Sequence, residues 1–340
     1  MKKIKIYIFH PYSRIGGADL SLSRLINNLN TNKYSITFIT LAKPKINFYL
    51  KKKIEICVLK KNRAFLSIFD LRSLVKKNKN NYSKIILISN QNFANIISVL
   101  ATFQLKWLKL ILIERNNPVE LDYSKTIKSK LIKLLIKITY KFSDIIIAIS
   151  KELRQDLEKL CKKKVISIYN PSFDKSIYKI SNKKIKKTKY KIILNVARYE
   201  KQKNHLMLLE SYKRIHNQIN AKLFLVGYGS EKKKIKDFIK QNNLQNKIKL
   251  ITKQKNIFSY YKIADLFVLT SLYEGFGNVL IEAAMFKIPI ISTDCKSGPK
   301  EILKNGEYGD LVKIGDNKKL SSLIIKNLNK PNKKKIFKMY

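Results

Sequence analysis

Short continuous apolar runs alternate with longer stretches of helical periodicity along this chain, in two blocks separated by a polar, lysine-rich interval. In the first block Ile4–Phe9, Ile36–Leu41, Ile85–Ile88, Leu110–Ile113 and Asp144–Ile149 read as strands, with helical patterns between several of them, for example Asp19–Leu29 and Ser124–Phe142. In the second block Ile192–Val196, Leu223–Val226, Lys247–Ile251, Asp265–Leu269 and Ile288–Ser292 are each separated by a helix-length segment. Such alternation requires right-handed crossovers and predicts an α/β protein with two doubly wound, Rossmann-like sheets, each with its ligand site at the carboxyl ends of the strands. The interval from about Asp174 to Tyr190, DKSIYKISNKKIKKTKY, reads as a linker. The expected organisation is a domain over 1–173, a linker over 174–190 and a domain over 191–340, the two sheets facing each other across a cleft.

Length and composition agree with that frame. A chain of 340 residues, 45% hydrophobic, exceeds one typical domain and can bury a sizeable core. Cys57, Cys161 and Cys295 are far apart, without paired or metal-type spacing, which fits a reducing compartment and no structural zinc. The opening MKKIKIYIFHPYS has too short an apolar run for a secretory core, and lysines break the other apolar stretches well below the roughly 20 residues needed to span a bilayer. The net charge of +48 admits three readings: a compositionally biased, solvated surface, an anionic leaflet, or nucleic acid.

Four segments at strand-to-helix passages carry candidate chemistry. In Tyr273–Glu282, YEGFGNVLIE, the two glycines permit close turning and the amides at the following helix start form a site for an anion. Glu274 in the loop and Glu282 inside the helix can address different parts of one ligand, a sugar and a ribose diol; the alternative is a helix-capping Glu274 and a solvated Glu282. In Asn195–His205, NVARYEKQKNH, Arg198 and Lys203 lie close enough to converge on one diphosphate, the first as a planar fork and the second as a point charge. Leu225–Ser230, LVGYGS, places Gly227 and Gly229 after a strand. Arg14–Asp19, RIGGAD, places Gly16 and Gly17 before the first helix, where Asp19 could instead cap it.

These segments resemble the family 4 retaining glycosyltransferases of the GT-B fold, in glycosyl transferases group 1, over about residues 4–325 and most closely over 192–312. Glu274, Gly275, Gly277 and Glu282 match the family's E-G-x-G-x-x-x-x-E motif. The resemblance implies that Glu274 lies beside the donor sugar, that Glu282 binds the ribose hydroxyls, and that Gly275, Phe276, Gly277 and Asn278 belong to the donor-binding loop. It further implies that Arg198 and Lys203 hold the pyrophosphate and stabilise it as leaving group, although Ala197 and Asn204 stand where glycine is common. Gly227 would lie beneath the base, and Gly16 and Gly17 would face the donor diphosphate; Asp19 shortens the family's usual glutamate there. SDIIIAISKELRQDL (143–157), YNP (169–171), SGPKEI (297–302) and NGEYG (305–309) are further similarities.

In the N-terminal half, His10 ends the first strand, and many family members carry a histidine near the donor sugar; a structural turn residue is the competing reading. The ERNNP stretch, Glu114–Pro118, resembles relatives acting on polyprenol-linked or cell-surface sugars, so that Glu114, Arg115 and Asn116, with His10, are expected to shape the acceptor or sugar site. The resemblance implies a nucleotide-sugar donor, UDP-linked hexoses first, a lipid-linked or cell-envelope glycan acceptor, and no metal or other cofactor, the two cations replacing a divalent ion. Work on the cytoplasmic face of an anionic inner membrane is expected, with Thr126–Tyr140, TIKSKLIKLLIKITY, as an interfacial helix; an ordinary helix packed on the sheet is the alternative. A nicotinamide dehydrogenase would need a complete G-x-G-x-x-G after a first strand, which neither glycine pair supplies. A nucleic-acid-binding protein would explain the charge but not the diglutamate spacing. At the chain end only Leu320–Leu328 reads as helical, so a helix crossing back to the first domain is expected to be abbreviated or absent.

Overall fold

The computed structural model describes residues 2–12, 16–44, 46, 50–124, 126–172, 189–252 and 257–331. The predicted linker, apart from Lys189 and Tyr190, and most of the segment after Leu328 lie outside the described residues. The chain divides into two units, Met1–Pro171 and Ser172–Tyr340.

The first unit carries a seven-stranded sheet in the order β3-β2-β1-β4-β5-β6-β7. Its strands are β1 (Ile4–Phe9), β2 (Tyr34–Thr40), β3 (Glu55–Val58), β4 (Lys84–Asn90), β5 (Leu108–Glu114), β6 (Ile145–Ala148) and β7 (Ile166–Ser167). Every pairing is parallel, which explains the near-continuous apolar runs: a parallel sheet is covered on both faces. The helices are α1 (Gly17–Asn28), α2 (Ile68–Lys77), α3 (Asn92–Thr102), α4 (Val119–Ser124), α5 (Ile127–Thr139) and α6 (Lys151–Cys161). Leu22 and Ile26 of α1 pack with Ile6, Ile8 and Phe38 of the adjacent strands.

The second unit carries a six-stranded parallel sheet in the order β10-β9-β8-β11-β12-β13. Its strands are β8 (Lys191–Val196), β9 (Ala221–Val226), β10 (Ile248–Ile251), β11 (Leu266–Leu269), β12 (Ile290–Thr293) and β13 (Asp310–Val312). Side-chain alternation splits its core by face: Ile193, Leu223, Leu225 and Val268 enter one cluster, and Ile192, Leu194, Phe224 and Phe267 the other. The helices are α7 (His205–Lys213), α8 (Lys232–Gln241), α9 (Phe258–Ile263), α10 (Asn278–Met285), α11 (Pro299–Ile302) and α12 (Asn317–Asn329). In both units the strand order reverses at the centre, between β1 and β4 and between β8 and β11, the switch points at which open α/β sheets bind ligands.

Three expectations need correction. The helix read over Ser124–Phe142 starts later, as α5 at Ile127, and ends in the 3₁₀ turn Tyr140–Phe142, because the Thr126 side-chain oxygen accepts from the Ser129 amide at 3.1 Å and sets the helix start. Helix α1 starts at Gly17 with Gly16 as N-cap, so Asp19 lies inside the first turn and does not cap it. Helix α12 is longer than Leu320–Leu328, beginning after Asp316, whose carboxylate accepts from the Lys319 amide at 2.9 Å.

Candidate functional site

The switch point of the second sheet gathers the charged residues singled out by the sequence. The loop after β8 carries Arg198, which is exposed, and Lys203, which is half-buried. Beside it, the loop after β11 carries Glu274, 6% exposed, and then the start of α10. Lys203 Nζ donates to Glu274 Oε1 at 2.5 Å, and Ser271 Oγ donates to the same oxygen at 2.6 Å.

Neutral bonds sew these two loops together around the ion pair. Gln202 Nε2 donates to the Tyr273 carbonyl at 2.8 Å, the Leu272 amide donates to the Gln202 carbonyl at 2.8 Å, and Thr270 Oγ1 reaches the carbonyls of Lys203 and Asn204 at 3.2 and 3.1 Å. Glu274 therefore does not cap a helix. The N-cap of α10 is Gly277, at φ +96°, with no side-chain capping bond, a left-handed conformation that favours glycine. The Phe276 side chain is buried. Its carbonyl lies so close to Gly298 that a Cβ there would meet the oxygen at 1.7 Å, so the approach of the SGPKEI segment to this loop requires glycine. Cys295 lies nearby, its thiol pushed up to about 12 by burial and by the charge of Glu274.

Glu282 lies on α10 and is 3% exposed, which excludes the reading of a solvated surface carboxylate. Its Oε2 accepts from the Tyr261 hydroxyl at 2.9 Å. Tyr261, on α9, is fully buried and stacked between Phe267 and Phe286, with ring centroids at 5.6 and 5.8 Å. Burial and the Glu282 charge hold its phenol well above 10, so it remains a donor. Sequence reasoning missed Tyr261; its place on a helix leading into β11 was the available signal.

Gly227 packs directly on the Arg198 loop. A Cβ at Gly227 would lie 1.9 Å from the Ala197 carbonyl oxygen, and one at Gly229 would lie 2.3 Å from that of Tyr199. The glycine pair is thus what lets the β9 loop lie against the β8 loop, tied by the Tyr199 amide donating to the Tyr228 carbonyl at 2.7 Å. At the start of α7, His205 is buried with neither ring nitrogen hydrogen-bonded. Burial, followed by the Lys203 charge, lowers its pKa to about 4, keeping it neutral.

In the first unit the switch-point residues form a buried polar chain. His10, 1% exposed, bonds through Nδ1 to Asn90 Nδ2 at 2.9 Å, with Nε2 3.5 Å from Asp19 Oδ1. Arg115 Nε donates to Asn90 Oδ1, and its Nη1 donates to Asn170 Oδ1 at 2.5 Å, tying in the YNP turn. Burial lowers Arg115 to about 10. Glu114 is turned inward: Tyr140 donates to it at 2.5 Å and the amides of Arg115 and Asn116 at 2.9 and 3.1 Å, while burial raises its pKa to about 7. Its oxygens hold the loop that carries Arg115 and Asn116; Asn116 is half-buried. Gly16 and Gly17 stand at the amino end of α1.

Among the described residues no group of three or more His, Cys, Asp or Glu side chains is placed to hold a metal ion.

Comparison with known proteins bears on the same residues. Residues 176–340 match the family described as Glycosyl transferases group 1. A glycosyltransferase of Methanocaldococcus jannaschii is 38% identical over 206 residues, 57% of this chain and 50% of the relative. The N-acetylgalactosamine-N,N'-diacetylbacillosaminyl-diphospho-undecaprenol 4-alpha-N-acetylgalactosaminyltransferase of Campylobacter jejuni is 31% identical over 228 residues, 66% of this chain and 61% of the relative. The chain thus spans between half and two thirds of the length of these relatives. Among solved structures, the Anabaena protein HepE in complex with UDP-glucose aligns with a TM-score of 0.78 over 98% of this chain and 92% of its own, at 18% identity. That likeness places both units in the GT-B fold.

Proposed function

We propose that the chain, whose residues 176–340 match glycosyl transferases group 1, is a retaining, metal-independent glycosyltransferase. In this reading it moves a hexose-type sugar from a UDP-sugar to a lipid-linked or cell-envelope glycan on the cytoplasmic face of an anionic membrane. The observation that carries the proposal is the arrangement at the β8/β11 switch point: Lys203 paired with Glu274 at 2.5 Å, and the buried Glu282 eight residues on, held by Tyr261. The named substrates of relatives support the substrate class: UDP-glucose is bound in HepE, and an undecaprenol-linked acceptor belongs to the Campylobacter enzyme.

Each residue then has a physical role. Arg198, exposed on its loop, and Lys203 bring positive charge to the diphosphate as it leaves, so that a divalent ion is not needed. Lys203 is positioned by Glu274, whose carboxylate would address the sugar, while Glu282 accepts from the ribose hydroxyls. The amides at the start of α10, from Asn278 onward, which follow the left-handed Gly277, would meet the anion. The leaving diphosphate would deprotonate the acceptor on the face it departs from, preserving the anomeric configuration. Preorganised charge of this kind contributes about 3 kcal/mol per donor in a water-poor site.

The test is transfer from a UDP-hexose to a polyprenol-diphosphate sugar, with the product's anomeric configuration read by NMR. Retention, unchanged by EDTA, is expected; inversion or a strict metal requirement would overturn the mechanism.

A further inference from the structure

Exposed apolar side chains are distributed very unequally over this protein. Of the seventeen large hydrophobic side chains exposed among the described residues, two, Tyr228 and Ile314, lie in the second unit. Eleven belong to one helical layer of the first: the 3₁₀ turn Ala64–Ser67 with α2, then α3 and the residue after it, then α5 with the turn Tyr140–Phe142. These elements are neighbours, α3 packing against α2, α5 and both 3₁₀ turns. Ring contacts bridge them: Phe103 meets Phe142 edge-on at 5.5 Å, and Lys128 lies over Phe93 at 5.8 Å.

Helix α5 has two apolar faces, and the core uses only one. Ser129, Ile132, Ile136 and Thr139 are buried against the fold. At about 100° per residue, Ile127, Leu131, Leu134 and Ile138 fall within an arc of about 60° on the opposite side, and all four are exposed, Ile127 at 88%. Lys128 lies on one flank of this stripe, and Lys130, Lys133 and Lys137 on the other. The layer continues across to Phe69, 82% exposed. A stripe that merely covered the sheet would be the buried one.

We propose that this layer is a membrane-docking surface: the α5 stripe and the phenylalanines beside it enter the acyl boundary of an anionic bilayer while the flanking lysines meet lipid phosphates. Charge selects the occupant. An apolar stripe framed by cations fits an anionic interface, whereas a second copy of a chain of net charge +48 would bring like charges together. Among the described residues no helix is long and apolar enough to cross a membrane, so contact through this layer is interfacial. The proposal rests on the reading that the acceptor is carried on a membrane and names the surface that would bring the protein to it.

The experiment is flotation of the full chain with phosphatidylcholine vesicles, with and without phosphatidylglycerol, at low and high salt, with UDP binding measured on the same samples. Wild-type protein is expected to float with the anionic vesicles, and I127S/L134S to lower its partitioning at least about tenfold. K128Q/K130Q/K137Q is expected to abolish the salt-sensitive part. Both variants should keep the wild-type melting temperature and UDP affinity, because the altered side chains are exposed. Wild-type protein that floats with no vesicle, or an I127S/L134S variant that floats as well as wild type, overturns the proposal. So does a wild-type dimer that I127S/L134S dissociates. Failure of UDP binding in protein that still floats would count against the proposed function and leave the docking surface standing.

Discussion

Separating Lys203 from Glu274 is the perturbation from which most can be learned. The pair is short, 2.5 Å, and its side chains are 13% and 7% exposed, so solvent screens it little. Each partner has few alternatives: Glu274 Oε1 keeps the Ser271 hydroxyl, and a lone Lys203 ammonium would be left between two loops. Breaking a buried pair by removing one partner costs about 3 kcal/mol or more, because the other charge stays uncompensated. For a unit of this size that corresponds to a fall in Tm of roughly 6–12 °C. K203M and E274Q should each show this loss, whereas K203M/E274Q should lose clearly less than their sum, with a coupling of about 2 kcal/mol. The assay is thermal and urea unfolding of the four proteins followed by circular dichroism at neutral pH, with UDP-sugar turnover measured in parallel. Additive losses, or single variants as stable as wild type, would refute the claim that the pair holds the two loops in place. All three variants should be inactive, the single E274Q losing turnover more than nucleotide affinity.

Two further predictions follow from buried polar groups. Tyr261→Phe removes one partner from Glu282 while leaving the aromatic stack, so the Kd for UDP should rise about three- to tenfold, a loss of roughly 0.7–1.4 kcal/mol; titration calorimetry checks this, and an unchanged Kd would show that the hydroxyl does not position the carboxylate. Glu114, raised to about 7 by burial, favours the folded state in its neutral form. Its contribution is complete below the ordinary glutamate range near 4.5 and is lost as pH rises towards 7, by about 3 kcal/mol in all. Glu114→Gln should flatten the stability profile across that window in urea melts; a profile as steep as wild type would contradict the assignment.

The elements most legible in the sequence were those whose signal is local. Leu223–Val226 is a continuous apolar run, and Ile4–Phe9 is broken only by Lys5, because both faces of a parallel strand are covered; their positions agree with β1 and the end of β9. The outer strands β3, β7 and β13, four, two and three residues long, passed unread. Strands so short do not complete a periodic pattern, and their exposed edges admit polar residues such as Glu55 and Asp310. In the site, the spacing of Glu274 and Glu282 and the glycines between them were legible because one turn and one helix contain them all. The Lys203–Glu274 pair spans 71 residues, and the Tyr261–Glu282 bond crosses from one helix to another. Neither separation leaves a pattern in a chain with 18 tyrosines and 71 basic residues. The inward turn of Glu114 was hidden for the same reason, since Tyr140 and the loop amides that satisfy it become neighbours only after folding.

The central claim, that the second unit binds a nucleotide through Glu282 at the β8/β11 switch point, is tested most directly by titrating UDP into wild-type protein and Glu282→Ala. Loss of a buried charged acceptor from the ribose hydroxyls is expected to cost about 1.5–3 kcal/mol, a weakening of roughly 10- to 150-fold, with the fold intact by circular dichroism. Equal UDP affinity in the two proteins, or no UDP binding by the wild type, would contradict the account.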